Sequence, residues 1–261
     1  MGGILERFSL KGQVAVVSGG SGPRFGSSVS EALAEAGATV VSASRSMDRN
    51  QAFAEQQRQR GYDVHAAQLD ITDGDSIEAL AAHVSGEFGG ADILVNSAVV
   101  GRRGGWEEQT PEYWSHSAQG NMVGLFSMCK LFSTAMVERR RGSIINISSM
   151  YGVVANDPSL YEGTEIKQPP DYTFVKAGMI NFTRYLANYL GGAGVRANCI
   201  CPGGYADNQP APFVDNYNKR VPLGRMMDNE DIKGAVVFLA SDASQYVTGT
   251  SLMVDGGFTS L

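Results

Sequence analysis

The chain has 261 residues, a net charge of −6 and a pI near 5.1, a balance that offers no basic surface to nucleic acid or anionic lipid. At 43% hydrophobic and 18% charged residues it can bury a large core and is not a disordered chain. No apolar run reaches the roughly 18 residues of a membrane span, and Cys129, Cys199 and Cys201 cannot all pair, so a reduced, cytoplasmic protein without a membrane partner is expected.

Gln13-Val-Ala-Val-Val17 predicts a first strand entering a glycine-rich turn, and Ser27 to Ala36 carries Val29, Leu33 and Ala36 at helical spacing. Gly37 stops that helix, and Thr39 to Ala43 is the second strand. A polar helix over about Asp48 to Arg60, a strand at Asp63 to Ala67 and a helix over about Asp73 to Phe88 follow. Asp92-Ile-Leu-Val-Asn96 is the fourth strand; helices at Pro111 to Ser117 and Asn121 to Glu138 lead to the fifth, Ser143 to Ile147. Next come a helix from Tyr172 to Leu190, a strand at Val195 to Ile200, a helix at Asp231 to Ala240 and a strand at Ser251 to Val254. The alternation predicts an α/β fold, a doubly wound parallel sheet with helices on both faces, in a single domain over residues 1–261. Ligands of such sheets sit beyond the carboxyl ends of the strands, so the residues there are the ones to inspect.

After strand one the chain reads Ser18-Gly-Gly-Ser-Gly-Pro-Arg-Phe-Gly26, where glycines let backbone N–H groups and a helix N-terminus approach a pyrophosphate. A plain tight turn is the alternative. After strand two, Ser44 stands where an acidic residue would grip a ribose 2′-hydroxyl, and Arg45 follows it. A hydroxyl and a guanidinium suit a 2′-phosphate, which favours NADP(H), with NAD(H) as the other cofactor; a solvated loop arginine is the bland reading. Asp70 and Asn96 end strands three and four, to hold an adenosine or to cap turns.

Tyr172-Thr-Phe-Val-Lys176 places a phenol and an ammonium on one face of a helix. A cation beside a phenol favours the phenolate, lowering a pKa that starts near about 10, as a general acid/base for an alcohol requires. Taken alone, such a pair is usually a surface coincidence.

Together these residues resemble the short-chain dehydrogenase/reductase family over nearly the whole chain, from Leu10 to Gly257. The matching pieces are Ser18-Gly19 with Gly26, Asp70, Asn96-Ser97-Ala98, Asn121, Ser149, Tyr172 with Lys176, Pro202-Gly203, and the tail Val254-Asp-Gly-Gly. The resemblance implies a Rossmann-type sheet that binds NAD(P)(H) and exchanges a hydride with an alcohol or carbonyl. It makes Tyr172 the acid/base, Lys176 its modulator and ribose ligand, Ser149 the donor to the substrate oxygen, and Asn121 the holder of a relay water. It places the cofactor on Ser18, Gly19, Gly20, Ser21, Arg24, Phe25, Gly26, Ser44, Arg45, Asp70, Ile71, Asn96, Ser97, Ala98, Tyr172, Lys176, Pro202, Gly203 and Tyr205. No metal is implied. Ser149 and Asn121 also have structural readings, as a strand-end turn and a helix cap.

The sequence departs from the pattern in places. The glycine turn is one residue longer than usual and loses its middle glycine around Pro23-Arg24, and Asp207 replaces a threonine that commonly contacts the nicotinamide amide. The connection between Ser149 and Tyr172 is longer than usual by roughly 10 residues, a length that in compact domains is functional or disordered.

Three segments should border the substrate: 99–106, an insertion over about 153–170, and a segment over about 204–222. Their polar character matches a sugar, polyol or sugar acid better than an acyl chain. Arg102, Arg103, Met150, Tyr161 and Gly204 are candidate substrate contacts, with exposed loop tips the alternative for the two arginines. A second enzyme reading is a 3-oxoacyl-carrier-protein reductase, which needs a basic docking patch near the site mouth; Arg139, Arg140 and Arg141, with Arg102 and Arg103, are the candidates. A third reading is a non-catalytic dinucleotide sensor or scaffold. Apolar stripes on the helices at Asn121 to Glu138 and Tyr172 to Leu190 are, by the same resemblance, expected to form a homotetramer.

Overall fold

The computed structural model describes residues 3–101 and 104–260. Seven strands form one sheet in the order β3-β2-β1-β4-β5-β6-β7, every neighbouring pair parallel. The strands are β1 (Val14–Ser18), β2 (Thr39–Ser44), β3 (Val64–Gln68), β4 (Ile93–Asn96), β5 (Gly142–Ile147), β6 (Val195–Pro202) and β7 (Ser251–Val254). The helices are α1 (Phe25–Glu35), α2 (Met47–Gln59), α3 (Gly74–Phe88), α4 (Pro111–Ala118), α5 (Leu125–Glu138), α6 (Pro170–Leu190), α7 (Ala211–Arg220) and α8 (Lys233–Ala240).

Successive side chains of a strand face opposite ways, and both faces of this sheet are covered. Val16, Leu94, Ile144 and Cys199 bury into one core with residues of α3, α5 and α6. Their neighbours Val17, Val95, Ile145 and Ile200 bury into the other, against α1 and α8. This is why the strands read as unbroken apolar runs rather than alternating ones.

The sequence places most elements within a few residues, and three differences matter. Helix α6 starts at Pro170, because a proline in the first helical turn has no N–H to lose. The segment 204–222 contains the helix α7, whose buried Phe213 and Tyr217 stand four apart on one face; Pro210 and Pro212 disguise it as a loop. Helices α4 and α5 are continuous through a π-type turn at Gln119–Gly124, where a Cβ on Gly124 would lie 2.0 Å from the Ile71 carbonyl oxygen. Such wide turns are common at functional sites.

The insertion forms a third, smaller core. Tyr151, Leu160, Phe213, Tyr217, Met226 and Phe258 are buried together, with Tyr161 and Ile166 packed against them. Its polar side chains build the loop itself: the Asp157 carboxylate accepts from the Ser159 amide and hydroxyl at 3.0 and 2.7 Å, and the Thr164 hydroxyl donates to the Tyr161 carbonyl at 2.8 Å. The cavity side of the insertion is mixed: Tyr161 and Ile166 line it together with Lys167 and Gln168, so the expected polar lining is present alongside a phenol. Among the described residues, no helix is long and apolar enough to cross a membrane.

Burial pushes the phenols of Tyr161 and Tyr217 up to about 12, and that of Tyr151 higher still. An unfolded tyrosine ionises near about 10, so the stability these neutral phenols contribute is complete below that pH and is lost as pH rises towards about 12. Thermal melts followed by circular dichroism should therefore show a steep fall in Tm across this window, shallower in Tyr161→Phe. A Tm curve of equal slope in the two proteins would show that the phenol does not contribute.

Candidate active site

A cavity of about 650 Å³ runs along the carboxyl ends of the strands, from β2 and β3 at one end to β5 and the insertion at the other. At its centre lies the turn between β1 and α1. Gly19 adopts φ +71°, and a Cβ on Gly26 would sit 1.9 Å from the Gly19 carbonyl oxygen, so only glycine permits the closure. Gly19, Arg24, Phe25 and Gly26 line the cavity here, beside the start of α1. Not every predicted residue of this turn does. Ser18 is buried and accepts from the amides of Ser97 and Ala98, at 3.1 and 3.2 Å. Gly20 is pressed against the sheet, since a Cβ there would meet the Ser42 hydroxyl oxygen at 2.7 Å. Both hold the turn from beneath and are not among the residues lining the cavity.

At the β2 end, a buried polar knot fixes the chain. Asn50 is fully buried; its amide donates to the carbonyls of Ser44 and Ala67, and its oxygen accepts from the hydroxyls of Ser44 and Ser21 at 2.7 and 2.5 Å. Ser21 is thus a support rather than a lining residue. Arg45 and Arg49 both line the cavity above this knot, and Arg49 Nε donates to the Ser21 hydroxyl at 3.3 Å. Sequence reasoning missed Arg49, which stands in the first turn of α2 while Arg45 lies in the bend before it, so no helical spacing links the two. Asp70 and Ile71 line the cavity after β3. Burial would raise the Asp70 pKa, but hydrogen bonds from the Thr72 amide and hydroxyl outweigh it and hold the carboxyl below the usual range.

Asn96 is also turned away from the cavity. It is buried, and its amide donates to Asn146 Oδ1 at 2.8 Å, while Asn146 donates to the Thr183 hydroxyl at 2.8 Å. This ladder ties β4, β5 and α6 together, and it occupies the Asn96 side chain that was expected at an adenosine. Ser97 and Ala98 do line the cavity.

At the β5 end, Ser149, Tyr172 and Lys176 all line the cavity. Lys176 is buried; its Nζ donates to the Ile147 carbonyl at 2.6 Å and lies 5.6 Å from the centre of the Tyr172 ring. The Ser148 hydroxyl donates to the Lys176 carbonyl at 2.8 Å, pinning α6 to the end of β5. Ser149 is extended, and its hydroxyl accepts from the Tyr151 amide at 3.2 Å. Asn121 is not on the cavity surface: its side chain accepts from the Val100 amide and donates to the Val100 carbonyl, at 2.9 and 2.7 Å. Met150, Tyr161, Gly204, Pro202, Gly203 and Tyr205 line the same end. Arg102 and Arg103 lie outside the described residues.

Two departures from the expected pattern turn out to be partners. Arg24, in the lengthened glycine turn, donates to Asp207 through Nε at 2.7 Å, and its Nη2 lies 2.5 Å from the same oxygen. Phe25 and Tyr205 add an edge-on ring contact with centroids 5.4 Å apart. The glycine turn and the segment after β6 are thereby latched across the cavity.

Residues 25–259 match the family model described as "Enoyl-(Acyl carrier protein) reductase". The chain is 36% identical to galactitol 2-dehydrogenase of Rhizobium johnstonii, with 97% of this chain and 98% of that protein covered. It is 33% identical to a 3-oxoacyl-[acyl-carrier-protein] reductase of Vibrio cholerae, covering 95% and 98%. Its structure superposes with a TM-score of 0.90 on a gluconate 5-dehydrogenase from Burkholderia cenocepacia crystallised with NADP and tartrate, at 29% identity and with 99% and 100% of the chains covered. On these matches the chain belongs to the short-chain dehydrogenase/reductase family of NAD(P)-dependent oxidoreductases.

Proposed function

We propose that this enzyme exchanges a hydride between NADP(H) and a secondary alcohol or ketone of a polyol, sugar or sugar acid. The observation that carries the reaction is the wall formed by Ser149, Tyr172 and the anchored Lys176. The turn that only glycine can close, beside the helix α1 terminus, suits a pyrophosphate, and the cavity passes from there to Tyr172. The nicotinamide, when bound, supplies the hydride acceptor or donor. In the oxidative direction Tyr172 takes the hydroxyl proton, and the O–H electron pair becomes the carbonyl π bond as the hydride leaves carbon. The Ser149 hydroxyl donates to the oxygen while proton removal leaves it partly negative. The buried Lys176 ammonium favours the anionic form of the phenol above it. Asn121, held by Val100, supports this wall from behind rather than touching the cavity.

NADP is favoured because Arg45 and Arg49 line the ribose end with no carboxylate in the place of Ser44. A hydroxyl-rich substrate is favoured because the phenols of Tyr151 and Tyr161 meet at 2.7 Å beside Tyr172, and by the substrates in the names of the galactitol and gluconate dehydrogenases. Docking of an acyl carrier protein is disfavoured. Arg139 donates to the carbonyls of Gly89 and Ala91 and Arg140 to that of Gly192, at the amino ends of the strands, opposite the cavity. A pure sensor has no use for the Ser-Tyr-Lys wall. The three cysteines are free and buried, which suits a reducing cytoplasm.

A panel of polyols, sugars, sugar acids and a 3-oxoacyl thioester, followed at the nicotinamide absorbance with NADP(H) and NAD(H), tests the assignment. Turnover is expected with the hydroxylated compounds and NADP(H); activity confined to the thioester would overturn it. Arg45→Ala and Arg49→Ala should each weaken NADP binding by roughly tenfold and leave NAD within about twofold, the scale of a charge-assisted phosphate contact. Equal losses for both cofactors would remove the 2′-phosphate argument.

The expected homo-oligomer has a physical basis in the outward faces of α5 and α6. Phe126 on α5 and Phe174, Tyr185 and Tyr189 on α6 are exposed. We infer that these helices pack against copies of the chain, making a tetramer. Light scattering should give about four times the 27.8 kDa chain mass; a monomer at micromolar concentration would contradict it.

A further inference from the structure

The residue before the catalytic tyrosine is a buried carboxylate that the mechanism above does not use. Asp171 is 3% exposed, and its Oδ2 accepts from the Ser117 hydroxyl at 2.5 Å. Its Oδ1 has no hydrogen-bond partner. The first turn of α6 favours a negative charge, which explains why a carboxylate is tolerated there but not why it is sealed from water.

The proton inventory shows what it controls. A carboxylate can only accept, so the Ser117 proton must point to Asp171. The Ser117 oxygen is then left to accept from Asn121 Nδ2, which lies 3.0 Å away. That sets the orientation of the Asn121 amide, and the second constraint agrees with it. Asn121 Oδ1 must accept from the Val100 amide, at 2.9 Å, while Nδ2 also donates to the Val100 carbonyl at 2.7 Å. Val100 belongs to the cavity wall with Ala98 and Val99. The next residue, Gly101, has φ +94°, and a Cβ on it would lie 3.5 Å from Asp171 Oδ2. One chain of hydrogen bonds thus runs from the helix that carries Tyr172, through Ser117 on α4 and Asn121 in the π-type turn, to the wall facing the reaction.

We propose that Asp171 is a positioning residue: through Ser117 it orients the amide of Asn121 and holds the cavity wall at Val100 in register with Tyr172. The effect on catalysis rests on the dehydrogenase role assigned to Tyr172; the linkage itself does not. Hydrogen exchange at the Val100 amide, measured by NMR on the full-length chain, reads the linkage without turnover. Both Asp171→Ala and Ser117→Ala should raise exchange there by about tenfold, the scale of a lost buried hydrogen bond, and Ser117→Thr should restore the wild-type rate. Both alanine variants should also lower kcat for the alcohol by about tenfold while the KM for NADP stays within about twofold, as expected of misplacement at the reacting centre. Unchanged exchange at Val100 in Ser117→Ala, or a rise spread evenly over the chain, overturns the proposal. A Val100 response in a wild-type background that turns over no alcohol keeps the linkage and rejects the reaction.

Discussion

The site depends on the hydrogen bond from Lys176 Nζ to the carbonyl of Ile147, 2.6 Å long and shielded from water. A buried ammonium is costly unless it is tied to acceptors, and the last residue of β5 supplies one. The bond does two things at once. It places a positive charge under the Tyr172 ring, and it fixes the rotation of α6 relative to the sheet. The Ser148 hydroxyl on the Lys176 carbonyl secures the same junction, and Gly152 permits it, since a Cβ there would lie 2.8 Å from that carbonyl oxygen. Asn96, Asn146 and Thr183 continue the attachment one layer deeper. The placement of Tyr172 and Lys176 is a property of how a helix is fastened to a strand end.

Along the cavity, charge is distributed against the overall balance of the chain. The molecule is acidic, with net charge −6, yet Arg24, Arg45 and Arg49 line the part of the cavity near the glycine turn and β2. Arg24 is paired with Asp207, and Asp70 lines the same part, so the positive character of that end rests on Arg45 and Arg49. The Arg24–Asp207 pair also joins the glycine turn to the segment that carries Tyr205 and Gly204. Because both partners are more than a third exposed, the pair adds little to stability.

The strands and the order of elements were legible because fully buried parallel strands are short apolar runs bounded by glycine and polar turns. The tyrosine, lysine and serine were legible because their positions after β5 follow from that order. Other features depended on contacts that spacing does not reveal. Gly20 and Asn96 look like cavity residues in the sequence, but their environment is the sheet behind it. Helix α7 was hidden by two prolines that sit before and within its first turn. The insertion's polar residues divide in a way spacing does not reveal: Asp157 and Thr164 bond within the loop, whereas Lys167 and Gln168 line the cavity beside Tyr161. Arg24 and Asp207 each appeared as an isolated departure, and only the fold brings them together.

The central claim is that the Tyr172 hydroxyl moves the proton while the rest of the site binds and orients. The direct measurement is kcat for alcohol oxidation by Tyr172→Phe, beside NADPH affinity from fluorescence titration of the same protein. Loss of a general base should lower kcat by about 10²–10⁴-fold and leave NADPH affinity within a few-fold. Wild-type turnover in Tyr172→Phe would contradict the account, because a phenyl ring cannot exchange a proton and another group would have to be the acid/base.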